Sequence, residues 1–260
     1  MGHKAIKVLK FLIYSLWTPT VIRQLLDHRK IPIIIVNYNQ LHYLKLQVDF
    51  YLKRGLQVVI IDNKSTYPPL LEYYRTIEKK VKIERMDDNY GHMVFFYKKY
   101  LCEKYGSGFF ALTDADVLPN DKLPVNFFSK LIYLLFRYSY MVNKVGFSLD
   151  IESIPDSFPH KDKVISWEKR FWLYPISKDI YRANIDTTFA LYKPIRLIDF
   201  NFFLKGIRVA GCFLAKHGGW YVNPNNLSSE EKYYIETATK SSSWKINEKG
   251  ELANITETKY

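Results

Sequence analysis

Apolar residues along this chain come in short continuous runs, each ending abruptly in small polar residues. Ile31-Pro32-Ile33-Ile34-Ile35-Val36 is rich in β-branched side chains and ends in Asn37-Tyr38-Asn39. Val58-Val59-Ile60-Ile61 ends in Asp62-Asn63-Lys64-Ser65, and Phe109-Phe110-Ala111-Leu112 ends in Thr113-Asp114-Ala115-Asp116. Runs of this length without polar alternation predict strands buried on both faces, as in a parallel sheet. Between the first two, Leu41, Leu44, Val48, Tyr51 and Leu52 recur at helical spacing, and Gly55 supplies a C-terminal stop. Pro68-Pro69 opens a further helix, Val81-Lys82-Ile83-Glu84 reads as a strand, and Asp87 to His92 reads as a loop before another helix. This alternation predicts an α/β fold: one Rossmann-like domain with a mostly parallel central sheet. Ligands of such sheets bind outside the carboxyl ends of the strands, so Asn37, Asp62 and Asp116 are expected along one edge.

Farther on, residues 125 to 138 have helical spacing and Val145 to Leu149 read as a strand. Residues 151 to 185 are polar, aromatic and punctuated by proline with no clear period, which predicts a long functional excursion. Thr187 to Tyr192 returns as a strand, followed by Arg208-Val209-Ala210-Gly211 and the loop His217-Gly218-Gly219-Trp220-Tyr221. No repeat or linker interrupts the pattern. It divides into an N-terminal helix (1–30), a main domain (31–240, with halves 31–120 and 121–240) and a polar, frayed tail (241–260).

The N-terminal stretch changes the picture. Residues 4 to 29 interleave Ile6, Val8, Leu9, Phe11, Leu12, Leu16 and Trp17 with Lys4, Lys7, Lys10 and Arg23. The apolar run is shorter than the roughly 20 residues needed to span a bilayer. A basic amphipathic helix ending in Trp suits the interface of an anionic membrane. A helix packing its apolar side on the domain fits the same residues.

At 260 residues, with 48% hydrophobic and 25% charged positions, the chain has enough apolar surface for a substantial core. The net charge of +12 calls for an anionic partner: a nucleic acid, a membrane surface or a polyanionic substrate. Zinc-finger, basic-zipper and RNP-type patterns are all missing, which argues against nucleic acid. Cys102 and Cys212 form no metal or redox spacing, and no cleavable signal pattern or myristoylation signal opens the chain. The expected place is the cytoplasm, at most peripheral on the cytoplasmic face of the inner membrane.

The chemistry concentrates at Asp114 and Asp116. A strand that ends in Asp-x-Asp delivers two hard carboxylate ligands to the place where a ligand sits. One or two carboxylates together with substrate phosphates is the usual way to hold Mg²⁺ or a similar cation. An Asp-rich turn capping the next element is the plainer reading of the same residues.

Taken together, Asn37-Tyr38-Asn39, Ile61-Asp62-Asn63-Lys64-Ser65-Thr66, Asn89-Tyr90-Gly91-His92 and Thr113-Asp114-Ala115-Asp116 resemble the nucleotide-sugar half of GT-A glycosyltransferases. The likeness is nearest to bacterial family-2-type enzymes of surface-polysaccharide and lipopolysaccharide assembly, and it covers about residues 31 to 235. It implies a GT-A-like fold and transfer of a hexosyl group from a nucleotide-diphosphate sugar donor to a saccharide or lipid-linked acceptor. It implies Mn²⁺ or Mg²⁺ as cofactor, held by Asp114 and Asp116. It places the nucleotide sugar on Asn37, Asn39, Asp62, Asn63, Asn89, Gly91 and Asp114.

The second half departs from the family pattern. Many inverting members carry an acidic base at a helix start, followed by a metal-binding His. Here His217 precedes Ser229-Glu230-Glu231. Glu231 and Asp186 are therefore alternative catalytic bases, with Glu168 a third. His217 is a candidate metal ligand, because Gly218-Gly219 beside it lets a diphosphate approach the backbone. Arg182 and Arg208 are candidates to face phosphate or acceptor. Two other readings remain: a haloacid-dehalogenase-type phosphatase, whose Asp-x-Asp normally lies on an early strand, and a non-catalytic basic protein that binds membranes or polyanions.

Overall fold

Prolines, caps and short apolar runs set the elements of the computed structural model, which describes residues 2–186 and 188–237. α1 (Gly2–Trp17) and α2 (Pro19–Leu26) are two helices where the sequence reading expected one. Thr18 lies between them in an extended conformation, as a residue before proline must, and the axes bend by 83°. β1 (Pro32–Asn37), α3 (His42–Leu52), β2 (Gln57–Asp62), α4 (Pro68–Ile77) and β3 (Lys82–Arg85) follow as successive βα units. Gly55, at φ +68, closes α3: its amide donates to Leu52 O, and that of Leu56 donates to Tyr51 O.

Next come α5 (Val94–Tyr97), α6 (Lys99–Tyr105), β4 (Phe110–Asp114), β5 (Val117–Pro119), α7 (Phe127–Arg137) and β6 (Lys144–Phe147). The stretch read as a long functional excursion without a clear period contains α8 (Lys161–Lys169) and the hairpin β7 (Pro175–Ser177) to β8 (Ile180–Asn184). Its elements escaped the pattern because α8 buries only Val164 and Glu168, so it carries no apolar stripe. β9 (Ala190–Tyr192), β10 (Lys205–Val209), β11 (Ala215–His217) and α9 (Ser229–Thr237) complete the described chain. Thr187 and the tail from 238 onward lie outside the described residues.

Among the described residues one nine-stranded sheet has the order β3-β2-β1-β4-β9-β6-β10-β8-β7, and β5 pairs with β11 in a separate ribbon. β9 runs antiparallel to both β4 and β6, and β8 runs antiparallel to β10 and β7; the other strands share one direction. The fold is α/β with a mostly parallel central sheet. Alternate residues of β1 serve opposite layers: Ile33 and Ile35 join the core containing α1, α3 and α7, while Ile34 and Val36 pack with Phe95, Phe110 and Tyr192. Register aligns Asn37 with Asp62 and Val36 with Asp114, so those strands end along one edge.

Candidate active site

At that edge the chain leaves β4 at Asp114 and turns through Ala115 and Asp116 into β5. The turn is held from several sides. Ala115 N donates to Val36 O at 3.1 Å, and Gln47 Nε2 donates to the carbonyls of Asp114 and Ala115 at 2.9 and 2.6 Å. On the far side the β5–β11 ribbon places His217 opposite Val117, and Gly218 N donates to Asp116 O at 2.7 Å. The Asp116 carboxylate accepts from Gly219 N at 3.3 Å and lies 3.5 Å from His217 Nδ1. His217 is itself stacked on the buried Trp220, with ring centroids 4.8 Å apart. Gly218 is required here, because a Cβ would stand 2.4 Å from the Tyr43 ring.

This turn borders a cleft of about 1140 Å³, large enough for a nucleotide sugar together with part of a second substrate. Of the sequence candidates, Asn37, Asn63, Asn89, Gly91, Asp114, Asp116, Asp186, His217 and Glu231 all line it. Asn63 Nδ2 donates to Gly91 O at 3.0 Å, and Asn89 Oδ1 accepts from Gly91 N at 2.9 Å, which holds Gly91 at its positive φ of +72.

Asp62 and Asn39 are placed differently from the expectation, outside the cleft lining. The buried Asp62 carboxylate accepts from Tyr74 OH at 2.9 Å and Ser65 N at 3.1 Å, and Asn37 Nδ2 donates to that same Tyr74 oxygen at 2.8 Å. Asn39 is fully buried: its Oδ1 accepts from Thr66 N and Tyr67 N, and its Nδ2 donates to Thr237 Oγ1. Both side chains are occupied in fastening loops to one another.

The three base candidates also separate. Glu231 Oε2 accepts from Ser228 N and Ser228 Oγ, each at 2.7 Å, and Ser228 Oγ accepts from Glu231 N: a capping box at the start of α9. Glu168 forms a buried ion pair with Arg208 at 2.8 Å, and Arg208 Nε also donates to Asn184 O. Asp186 follows β8 on the cleft wall, where its charge acts on Lys144 and on the hydroxyl of Tyr192, which Asp114 also faces. Arg182 lies on the same wall, its guanidinium 5.6 Å from the Tyr174 ring centroid.

Several site residues were absent from the sequence reading. Gln47 has a legible signal, since it is a polar residue on the helix face shared by Leu44, Val48 and Tyr51 and is fully buried. Tyr43 has none. Burial, followed by the charges of Asp116, Glu231 and Glu230, pushes its phenol up to about 12, so its ring stands among these carboxylates. Thr188, also unmarked in sequence, lines the cleft with a buried hydroxyl that has no hydrogen-bond partner among the described residues. Asn37 Oδ1, Asn63 Oδ1 and His217 Nδ1, beside the cleft, are likewise buried without a hydrogen-bond partner among the described residues.

Among the described residues no group of three or more His, Cys, Asp or Glu side chains converges as a metal cage. Asp114 and Asp116 still fit a hard divalent cation of the kind that takes one or two carboxylates and completes its shell with phosphate oxygens and water. His217, whose Nδ1 stands 3.5 Å from the Asp116 carboxylate without a hydrogen bond among the described residues, is the neighbouring nitrogen donor.

No protein-family model matches the chain, and no curated protein matches it by sequence. Among solved structures it is similar to the mannosyltransferase PcManGT from Pyrobaculum calidifontis, in complex with GDP-Man and Mn2+. That match has 10% identity and a TM-score of 0.43, over 90% of this chain and 72% of the other. It is similar to S. aureus TarS 1-349 in complex with UDP at 14% identity and a TM-score of 0.35, over 49% of this chain and 38% of the other. It also overlaps mannose-6-phosphate isomerase from Helicobacter pylori at 12% identity and a TM-score of 0.35, over 72% and 96% of the two chains. Overlaps at these scores assign no chemistry.

Proposed function

We propose that the protein transfers a hexosyl group from a nucleotide-diphosphate sugar to a saccharide or lipid-linked acceptor of cell-surface glycan synthesis. One observation carries the reading: the Asp114-Ala115-Asp116 turn is clamped by Gln47, Val36 and Gly218 at the mouth of a nucleotide-sized cleft. The clamp fixes the backbone from which both aspartates join the cleft lining, which is the preorganisation a site for a charged ligand needs.

The charge distribution points the same way. Arg170, Arg182, Lys205 and Arg208 also line the cleft, but Asp114 and Asp116 stand together at the turn, and a diphosphate placed beside that pair is repelled unless a cation lies between them. Mn²⁺ or Mg²⁺ held by Asp114 and Asp116, with His217 adjacent, would neutralise the charge that develops on the leaving diphosphate. Asn37 and Asn63 carry unpartnered buried oxygens suited to the hydroxyl and amino donors of a nucleoside. Gly91, without a side chain and at positive φ, leaves the neighbouring backbone open to the ligand. Asp186 is the proposed base that takes the acceptor proton, because the carboxylates of Glu231 and Glu168 are occupied by Ser228 and Arg208.

The experiment pairs melting curves with turnover for a panel of UDP- and GDP-sugars, each with and without Mn²⁺. The wild type should be stabilised by its donor only when the metal is present. Asp116→Asn should lose both that stabilisation and transfer, since the amide keeps the shape without the charge. Asp186→Asn should keep the stabilisation and lose on the order of a hundredfold in turnover. Full donor binding and transfer by Asp116→Asn would exclude the metal-site reading.

A further inference from the structure

α1 is apolar on both sides, and the fold uses only one of them. Phe11 and Ser15 face inward and are buried, with the Phe11 ring 4.6 Å from that of Phe136 and 6.2 Å from that of Phe109. On the opposite side Ile6, Leu9, Ile13 and Leu16 form one stripe at helical spacing, all of them exposed. Trp17, at the break before α2, is 82% exposed, and Leu26 at the end of α2 is 83% exposed. Lys7, on the inward flank one turn before Phe11, ties α1 to the loop after β9 through Asp199 at 3.2 Å and lies 5.4 Å from the Phe202 ring centroid, which fixes the helix with its outer stripe away from the domain.

The rim of this patch is basic. Lys10 is exposed on the flank of the stripe, Lys4 at the start of α1 and Arg23 on α2 are exposed as well, and no acidic residue occurs between Gly2 and Leu26. A contiguous exposed apolar face marks a docking surface, and this one has the composition of an interfacial helix: apolar stripe, terminal Trp and flanking lysines. From this arrangement we infer that α1 and α2 dock the protein on an anionic lipid surface, lying in the interface with the outer stripe in the acyl boundary.

Charge selects that occupant over a second copy of the chain, because pairing two such faces brings like-charged lysines together. Packing selects adsorption over crossing. No single helix among the described residues is long and apolar enough to cross a membrane, and only the bent α1–α2 pair passes by length and composition. Inserting that pair would withdraw Phe11 from the core and break the bonds that Gln24 makes to both Phe109 N and Phe109 O. The inference is independent of the donor site.

The test uses the full chain and vesicle sedimentation, with phosphatidylcholine alone or mixed with about one-third phosphatidylserine. The protein should sediment with the anionic vesicles, be released as salt rises toward about 0.5 M, and ignore the neutral ones. The double variant Leu9→Ser, Ile13→Ser should lower partitioning by about tenfold or more. It should melt like the parent, because both side chains already face water. Failure to bind anionic vesicles, or equal binding by the variant, overturns the proposal. So does retention on vesicles after alkaline carbonate extraction, which marks an inserted pair, or a concentration-dependent dimer that the double variant dissolves.

Discussion

Lys144 carries its ammonium into a fully buried position, where Nζ donates to Tyr192 OH at 3.0 Å and lies 4.3 Å from the Phe203 ring centroid. Burial pulls its pKa down to about 7; the charge of Asp186 acts upward and that of Arg208 downward. The unfolded chain holds this proton up to about pH 10.5. Between roughly pH 7 and 10.5 the unfolded state therefore binds more protons, and the folded protein gains stability as pH rises, by up to about 1.4 kcal/mol per unit. Below pH 7 the ammonium is charged in both states, and its full desolvation cost opposes folding. Lys144→Met should thus be more stable than the parent near neutrality, with an advantage that shrinks toward about pH 10. Lys193, lowered to about 8 mainly by burial, keeps part of the slope in both proteins. Urea unfolding across this range checks the point, and a difference independent of pH would show that Lys144 titrates normally.

Between elements, single carboxylates do the joining. Glu230 accepts from Leu41 N at 2.8 Å and His42 N at 3.0 Å, so a side chain of α9 caps the N-terminus of α3 beside the cleft. Glu168 ties α8 to β10 through Arg208, whose guanidinium also lies 3.9 Å from the Phe171 ring centroid. Both partners of this pair are buried. Removing one leaves an uncompensated charge in the interior, so Glu168→Ala should destabilise by about 3–5 kcal/mol. The double variant Glu168→Met, Arg208→Met should recover most of that loss. Denaturant midpoints of the single and double variants measure it, and a single variant as stable as the parent would mean that water reaches the pair. This clamp also shows why α8 was not visible in the sequence: it is held by an ion pair, and hydrophobic periodicity does not register ion pairs.

For the molecule as a whole, the N-terminal segment is part of the same core as the sheet. Phe11 and Val21 belong to the cluster that includes Ile33 and Ile35, and Gln24 pairs with the backbone of Phe109 at the start of β4. A chain beginning at Lys30 loses buried Phe11 and Val21 and leaves Phe109 N and O unsatisfied, so its melting midpoint should fall by on the order of 10 °C or more. Differential scanning calorimetry of that truncation decides the matter; an unchanged midpoint would show the segment to be an appendage.

Whereas β5, β11 and the β7–β8 hairpin were not legible in the residues, strands β1 to β4, the order of their βα units and the Asp-x-Asp at a carboxyl end were. Each is written within about ten neighbouring positions, as a buried run that stops at polar side chains. What the polar side chains do was decided only by tertiary structure. Asp62 and Asn39 look like ligand-binding residues in sequence, yet Tyr74, Ser65 and Thr237 take up their side chains, with Thr237 standing 198 positions from Asn39. His217 meets Asp116 because the β5–β11 ribbon joins segments 103 residues apart at Gly219 and Asp116. The longer apolar stripe of α1, Ile6, Leu9, Ile13 and Leu16, is the exposed one, and packing of Phe11 on Phe109 and Phe136 determined which side faces inward. Burial of a continuous β-branched run such as Ile33 to Val36 follows from the run's own composition. The partner of a polar side chain depends on which distant segment the fold brings within about 3 Å of it.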